Sequence, residues 1–152
     1  MLVVALILCY IDVTDLIRSS EFKHSFMNKN IGNIYEDLIE LSDLNLQKKL
    51  WLNEGNYTGL SSSYTELMNR LFDDDNFDLF IDKGAHGLGI APTLILELNQ
   101  LRSLLNSYEE GTKTDYEILI DPQWSLISNH ASLAVKIWNE ECKAQAAGES
   151  LD

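Results

Sequence analysis

Residues 121–138 read DPQWSLISNHASLAVKIW, and this stretch decides the fold. Asp121 can cap a helix, and Pro122 suits its first turn, where the missing N–H is not needed. Trp124, Ile127, Ala131, Ala134 and Trp138 then recur at helical spacing along one face, which Leu126, Leu133 and Ile137 widen. A helix with so broad an apolar face belongs in the middle of a bundle, with other helices covering it.

Those other helices can be read outward from it. Upstream, TLILELNQLRSLLNSYEEG (93–111) steps by fours and threes through Leu94, Leu98, Leu101, Leu105 and Tyr108. Thr93 or the residue before it would cap the start, and Gly111 would end it. In SSSYTELMNRLF (61–72), Ser63 and Glu66 form a capping box. Tyr64, Leu67, Met68, Leu71 and Phe72 follow it as a single stripe. Residues 33–54 read as helix, with Asn33 as cap, Glu36, Asp37 and Glu40 at the positive end, and Lys48 and Lys49 at the other. Ser42-Asp43 is a possible break in it, and Gly55 a stop. Thr114 and Glu117 make a second capping box before DYEILI, a short helix whose Ile118–Ile120 also suits a short strand. KGAHGLGIAP (83–92) reads as a loop, and residues 143–152 as a fraying tail. The first ten residues are the best strand candidate. Residues 1–26 read as a possible N-terminal extension, with Met27 as an alternative start. The expected fold is an all-α, irregular, single-domain bundle of five to seven helices. The alternative is α+β with a short N-terminal strand.

The chain has 152 residues, enough for one domain with a sizeable core. Its 24 acids outnumber 11 bases, giving a net charge of −13. Phosphate backbones and anionic lipid surfaces repel such a protein, so no nucleic-acid or membrane partner is expected. A basic protein partner is favoured, or the charge serves solubility alone. Cys9 and Cys142 form neither a disulfide framework nor a zinc spacing, and suit a reducing cytoplasm. MLVVALILCYI lacks a basic flank and a cleavage site, and is too short to span a bilayer. Asn56-Tyr57-Thr58 matches a glycosylation sequon by chance.

Four acids crowd into LFDDDNFDLF (71–80): Asp73, Asp74, Asp75 and Asp78. A calcium loop starting at Asp74 would need glycine where Leu79 stands and glutamate where Ala85 stands, so no metal is expected. A catalytic carboxylate pair needs two acids in contrasting environments, which adjacent aspartates at a helix end do not imply. The plain reading is a turn between helices. Asp75 or Asn76 caps the second helix, and Phe72, Phe77 and Phe80 hold an acidic tip that could face a partner. Glu109, Glu110 and Asp115 form a weaker second acidic group. GAHGLG lacks the Lys-Ser/Thr of a phosphate loop, and no cofactor is expected. His86, in that loop, is the remaining candidate for an enzyme that pairs a histidine with nearby carboxylates.

KLWLNEGNYTGLSSSYTELMNRLFDDDNFDLFID (49–82) and ILIDPQW (118–124) carry a resemblance. In Trp51, Gly55, the serine-rich cap, Leu71-Phe72-Asp73-Asp74, Asp121-Pro122 and Trp124, the chain resembles immunity proteins of bacterial contact-dependent growth inhibition. The N-terminal apolar segment departs from that pattern. The resemblance implies a cytoplasmic, non-enzymatic protein that binds and neutralises a cognate toxin domain, a nuclease with a basic active site. Asp73, Asp74, Asp75 and Asp78 would be its binding residues, with Glu109, Glu110 and Asp115 in support. The alternatives are a helical adaptor without a toxin and a small enzyme using His86.

Overall fold

A computed structural model describes residues 22–149, with side chains from Asn30 to Gln145 and at Ala147. The strand candidate at 1–10, Cys9 and the last three residues lie outside the described residues, and so does most of the possible extension at 1–26.

Seven helices and no strands make up the described residues. Helix α1 (Phe22–Ser42) gives way to α2 (Leu44–Leu52) at Asp43, the break expected from the sequence. Asp43 is extended, and its carboxylate accepts from the Asn45 and Leu46 amides at 2.9 and 3.1 Å, so it caps α2. Helix α2 stops at Asn53, whose left-handed backbone (φ 57°) returns its N–H to the Lys48 carbonyl. Asn33 is not a cap, because α1 begins eleven residues earlier.

Helix α3 (Tyr64–Met68) starts where Ser63 Oγ accepts from the Glu66 amide at 3.1 Å. It runs on as wider π-helical turns over Asn69–Asp74, closed by Asp75 N–H to Arg70 C=O at 2.8 Å. Asn76, left-handed at φ 53°, turns the chain into α4, a tolerable conformation for Asn. Helix α4 opens at Phe77–Leu79, widens over Phe80–Gly84 and closes at Ala85–Gly87. Half of the expected glycine-rich loop is therefore helical. Gly84 lets the Phe80 ring lie close, since a Cβ there would meet Phe80 Cδ2 at 3.3 Å.

Helix α5 (Pro92–Ser107) begins with Pro92 in its first turn and no side-chain cap at Ala91. It ends at the extended Tyr108, three residues before the expected Gly111. Thr114 and Glu117 complete their capping box and open α6 (Asp115–Leu119), which settles Ile118–Ile120 as helix end rather than strand. Asp121 Oδ1 accepts from the Gln123 amide at 2.9 Å at the head of α7 (Pro122–Glu149). Helix α7 continues as far as Glu149, within the 143–152 segment expected to fray.

As its apolar face requires, α7 is central, packed chiefly on α1 and α5. Trp124, Ile127, Ala131, Ala134 and Trp138 are completely buried. Leu126 and Leu133 do not widen that face; they are 47% and 43% exposed. The two tryptophans organise opposite ends of the core. Trp124 meets Trp51, Tyr64 and Tyr108 at ring separations of 5.9, 5.4 and 5.3 Å. Trp138 meets Tyr35 at 5.4 Å and stacks on Phe80 at 6.1 Å. Fourteen residues of helix place these clusters roughly 21 Å apart along the axis.

Candidate functional site

The expected acidic tip forms where α3 ends. Asp73 and Asp74 are exposed there, and Phe72 packs edge-on against the fully buried Phe77 at 5.8 Å. Asp75 departs from the expected binding face. It is 6% exposed, and its Oδ1 accepts from Asn33 Nδ2 of α1 at 3.0 Å, so in this arrangement its carboxylate faces inward rather than toward a partner. Asp78 is exposed but shares a cation. Arg102 Nη1 of α5 lies 3.5 Å from Asp78 Oδ1 and 2.9 Å from Asp82 Oδ1. Such open pairs are worth little in stability, but they halve the local surplus of charge. Among the described residues, no cation pairs with Asp73 or Asp74.

The second acidic group gathers at the other end of α3. Asp115 Oδ1 accepts from the Tyr64 amide at 3.2 Å, adding a carboxylate to the start of that helix. Glu110 Oε2 accepts from the Tyr64 hydroxyl at 3.3 Å. Burial, reinforced by Glu110, pushes the Tyr64 hydroxyl up to about 12, so it remains a donor at any ordinary pH. Glu109 is exposed, and its backbone carbonyl accepts from Lys113 Nζ at 2.7 Å. Lys113 also pairs with Asp121 at 3.4 Å and stands 5.1 Å over the Tyr108 ring. The two acidic groups are thus separated by nearly the length of α3, about 13 Å for nine residues at 1.5 Å each. They form two patches rather than one.

Between them lies a buried polar chain that the sequence reading missed. Arg70, midway along α3, donates from Nε to Asp37 Oδ1 at 2.9 Å and from Nη1 to Ser62 Oγ at 3.2 Å. Its Nη2 binds Glu40 Oε2. Glu40 Oε1 accepts from Trp51 Nε1 at 2.9 Å. Gln47, fully buried, donates to the Glu40 and Leu41 carbonyls at 2.8 and 2.9 Å, satisfying the end of α1. Its Oε1 accepts from Trp124 Nε1 at 2.8 Å. Through these bonds α1, α2, α3 and α7 are tied to one another. Burial pulls the Arg70 guanidinium pKa down, but Asp37 and Glu40 outweigh it and the net shift is upward. Burial raises the Asp37 carboxyl to about 7, with Asp75 adding to that and Arg70 opposing it. One signal for this chain was legible: Arg70 is a lone base between Leu67 and Leu71 on an apolar stripe.

His86 lies exposed on the last turn of α4. His130 instead joins α7 to α5, its Nδ1 2.7 Å from the buried Glu97 Oε1. Among the described residues no group of three or more His, Cys, Asp and Glu is placed to hold a metal ion. No helix among them is long and apolar enough to cross a membrane. An open groove on α5 is lined by Asn99, Arg102, Ser103, Asn106 and Ser107, all polar, unlike the mostly apolar clefts that bind small molecules. Comparison with family models, curated proteins and solved structures found no match for this chain.

Proposed function

We propose that this chain is a non-enzymatic binding protein of the immunity type, which neutralises a cognate toxin domain by covering a basic active site. The observation that carries the reading is the exposure of Asp73, Asp74, Glu109 and Glu110 on a scaffold whose core is locked by two aromatic clusters and the Arg70 chain. Carboxylates held in place need little ordering when they bind, and a net charge of −13 speeds encounter with a cationic surface. A nuclease active site built to hold phosphates offers such a surface. The acidic protein would occupy it in place of nucleic acid and would itself catalyse nothing.

The test is co-purification with the toxin domain encoded beside this gene, followed by a nuclease assay. A stable complex that weakens as salt rises and blocks nucleic-acid cleavage is the expected result. A chain that neither binds nor protects, or whose binding ignores both salt and the Asp73→Asn/Asp74→Asn and Glu109→Gln/Glu110→Gln changes, rules the mechanism out.

A further inference from the structure

Asp37 and Asp75 are 5% and 6% exposed, one from α1 and the other at the end of α3, and Asn33, one turn before Asp37 on α1, holds Asp75 against that helix. Asp37 Oδ1 is taken by Arg70. Asp37 Oδ2 is buried, and no donor among the described residues reaches it. Asp75 Oδ1 is taken by Asn33 Nδ2. The one guanidinium here is shared with a third acid, Glu40, which α1 places one turn beyond Asp37. Among the described residues, the charges acting on Asp37 are those of Arg70 and Asp75. Ser62, from the loop before α3, adds only a neutral hydroxyl to Arg70. Three ionised carboxylates around one cation would leave a buried surplus of negative charge, which is costly away from water.

We propose that Asp37 and Asp75 share one proton and thereby fasten the acidic end of α3 to α1. A proton on Asp37 Oδ2 would turn the orphaned acceptor into a donor for the Asp75 carboxylate. With it, Asp75 stays inside, and Asp73 and Asp74, the two residues before it, stay fixed at the turn. Without it, two carboxylates repel each other, Asp75 swings outward, and the π-helical turns from Asn69 loosen. The raised carboxyl of Asp37 puts this change near neutral pH. The latch belongs to the free chain, whatever its partner.

The test is NMR of the full chain across about pH 4–9, following side-chain carboxyl carbons and the backbone amides of residues 69–76. Asp37 should titrate with a midpoint near 7, and the amides should show a step at the same midpoint. In Asp37→Asn the side-chain amide donates to Asp75 permanently, so the step should vanish. Asp75→Asn gives a second reading should that variant not fold. There the amide donates to Asp37, so the Asp37 midpoint should drop and the step should again be lost. An Asp37 midpoint below about 5 in the native chain overturns the latch. So does an amide step that survives in Asp37→Asn, or an Asp37 midpoint unmoved in Asp75→Asn.

Discussion

Arg70 is 35% exposed at its side chain, while Asp37 and Glu40, which it joins, are nearly covered. Removing the cation strands two largely covered carboxyls where water replaces it only in part. Arg70→Leu is therefore expected to destabilise the fold by about 3 kcal/mol in urea unfolding, the lower end for a broken buried pair because Arg70 is partly wet. Adding Asp37→Asn and Glu40→Gln should recover part of that loss, since stranded charge is the cause. Asp37 also links stability to pH, and the sign follows from its raised carboxyl. The folded state holds the proton up to about 7, whereas the unfolded chain releases it near 3.8. Stability from this group is fully present below the unfolded value and is lost as pH rises through the folded one. Thermal melts of the native chain and of Asp37→Asn should thus diverge between about pH 4 and 7, in favour of the variant, and run parallel above. Curves that diverge only below pH 4 would contradict the assignment.

At the scale of elements, α7 carries the most weight. Trp138→Ala removes a ring that is fully buried between Tyr35 and Phe80 and should cost about 3–5 kcal/mol. Leu133→Ala, five residues earlier but exposed, should cost less than about 1 kcal/mol. Equal losses in chemical denaturation would mean that α7 is not the central helix. The sequence made the Trp124-to-Trp138 face legible because spacing alone gives the angle of each residue around a helix. It did not show how far neighbouring helices reach around that face, so Leu126 and Leu133 were read as buried. The acidic tip divides in the same way. Leu67, Leu71 and Asp75 follow one another every four residues, so the stripe that buries the first two also points Asp75 inward. What could not be read was Asn33, the partner 42 residues away that makes this burial tolerable. The π-helical turns left no trace either, since no residue pattern marks an i→i+5 bond. The Thr114–Glu117 box and the possible break at Ser42-Asp43 were readable because both act within four residues of chain.

For the molecule as a whole, the consequence is two acidic patches at opposite ends of α3, each with a different degree of freedom. Glu110 and Asp115 are tied to Tyr64, and Lys113 lies beside them, so that patch is rigid and partly offset. Asp73 and Asp74 have no such cation among the described residues, where Arg102 serves Asp78 and Asp82. Long-range steering depends on total charge, whereas the lifetime of a complex depends on the carboxylates it covers. Asp73→Asn/Asp74→Asn and Glu109→Gln/Glu110→Gln each remove two charges, so both should slow association with a basic toxin domain by a similar, salt-sensitive factor. Dissociation should separate them. The pair inside the interface should release faster by about tenfold or more, equivalent to about 1.4 kcal/mol, while the outlying pair leaves the release rate almost unchanged. Stopped-flow association and surface-based dissociation at two salt concentrations measure both. If neither pair alters release, the net charge of −13 steers the encounter but the contact lies elsewhere. The exposed loop carrying Tyr57 and Leu60, at 99% and 67% exposure, would then be the next surface to alter.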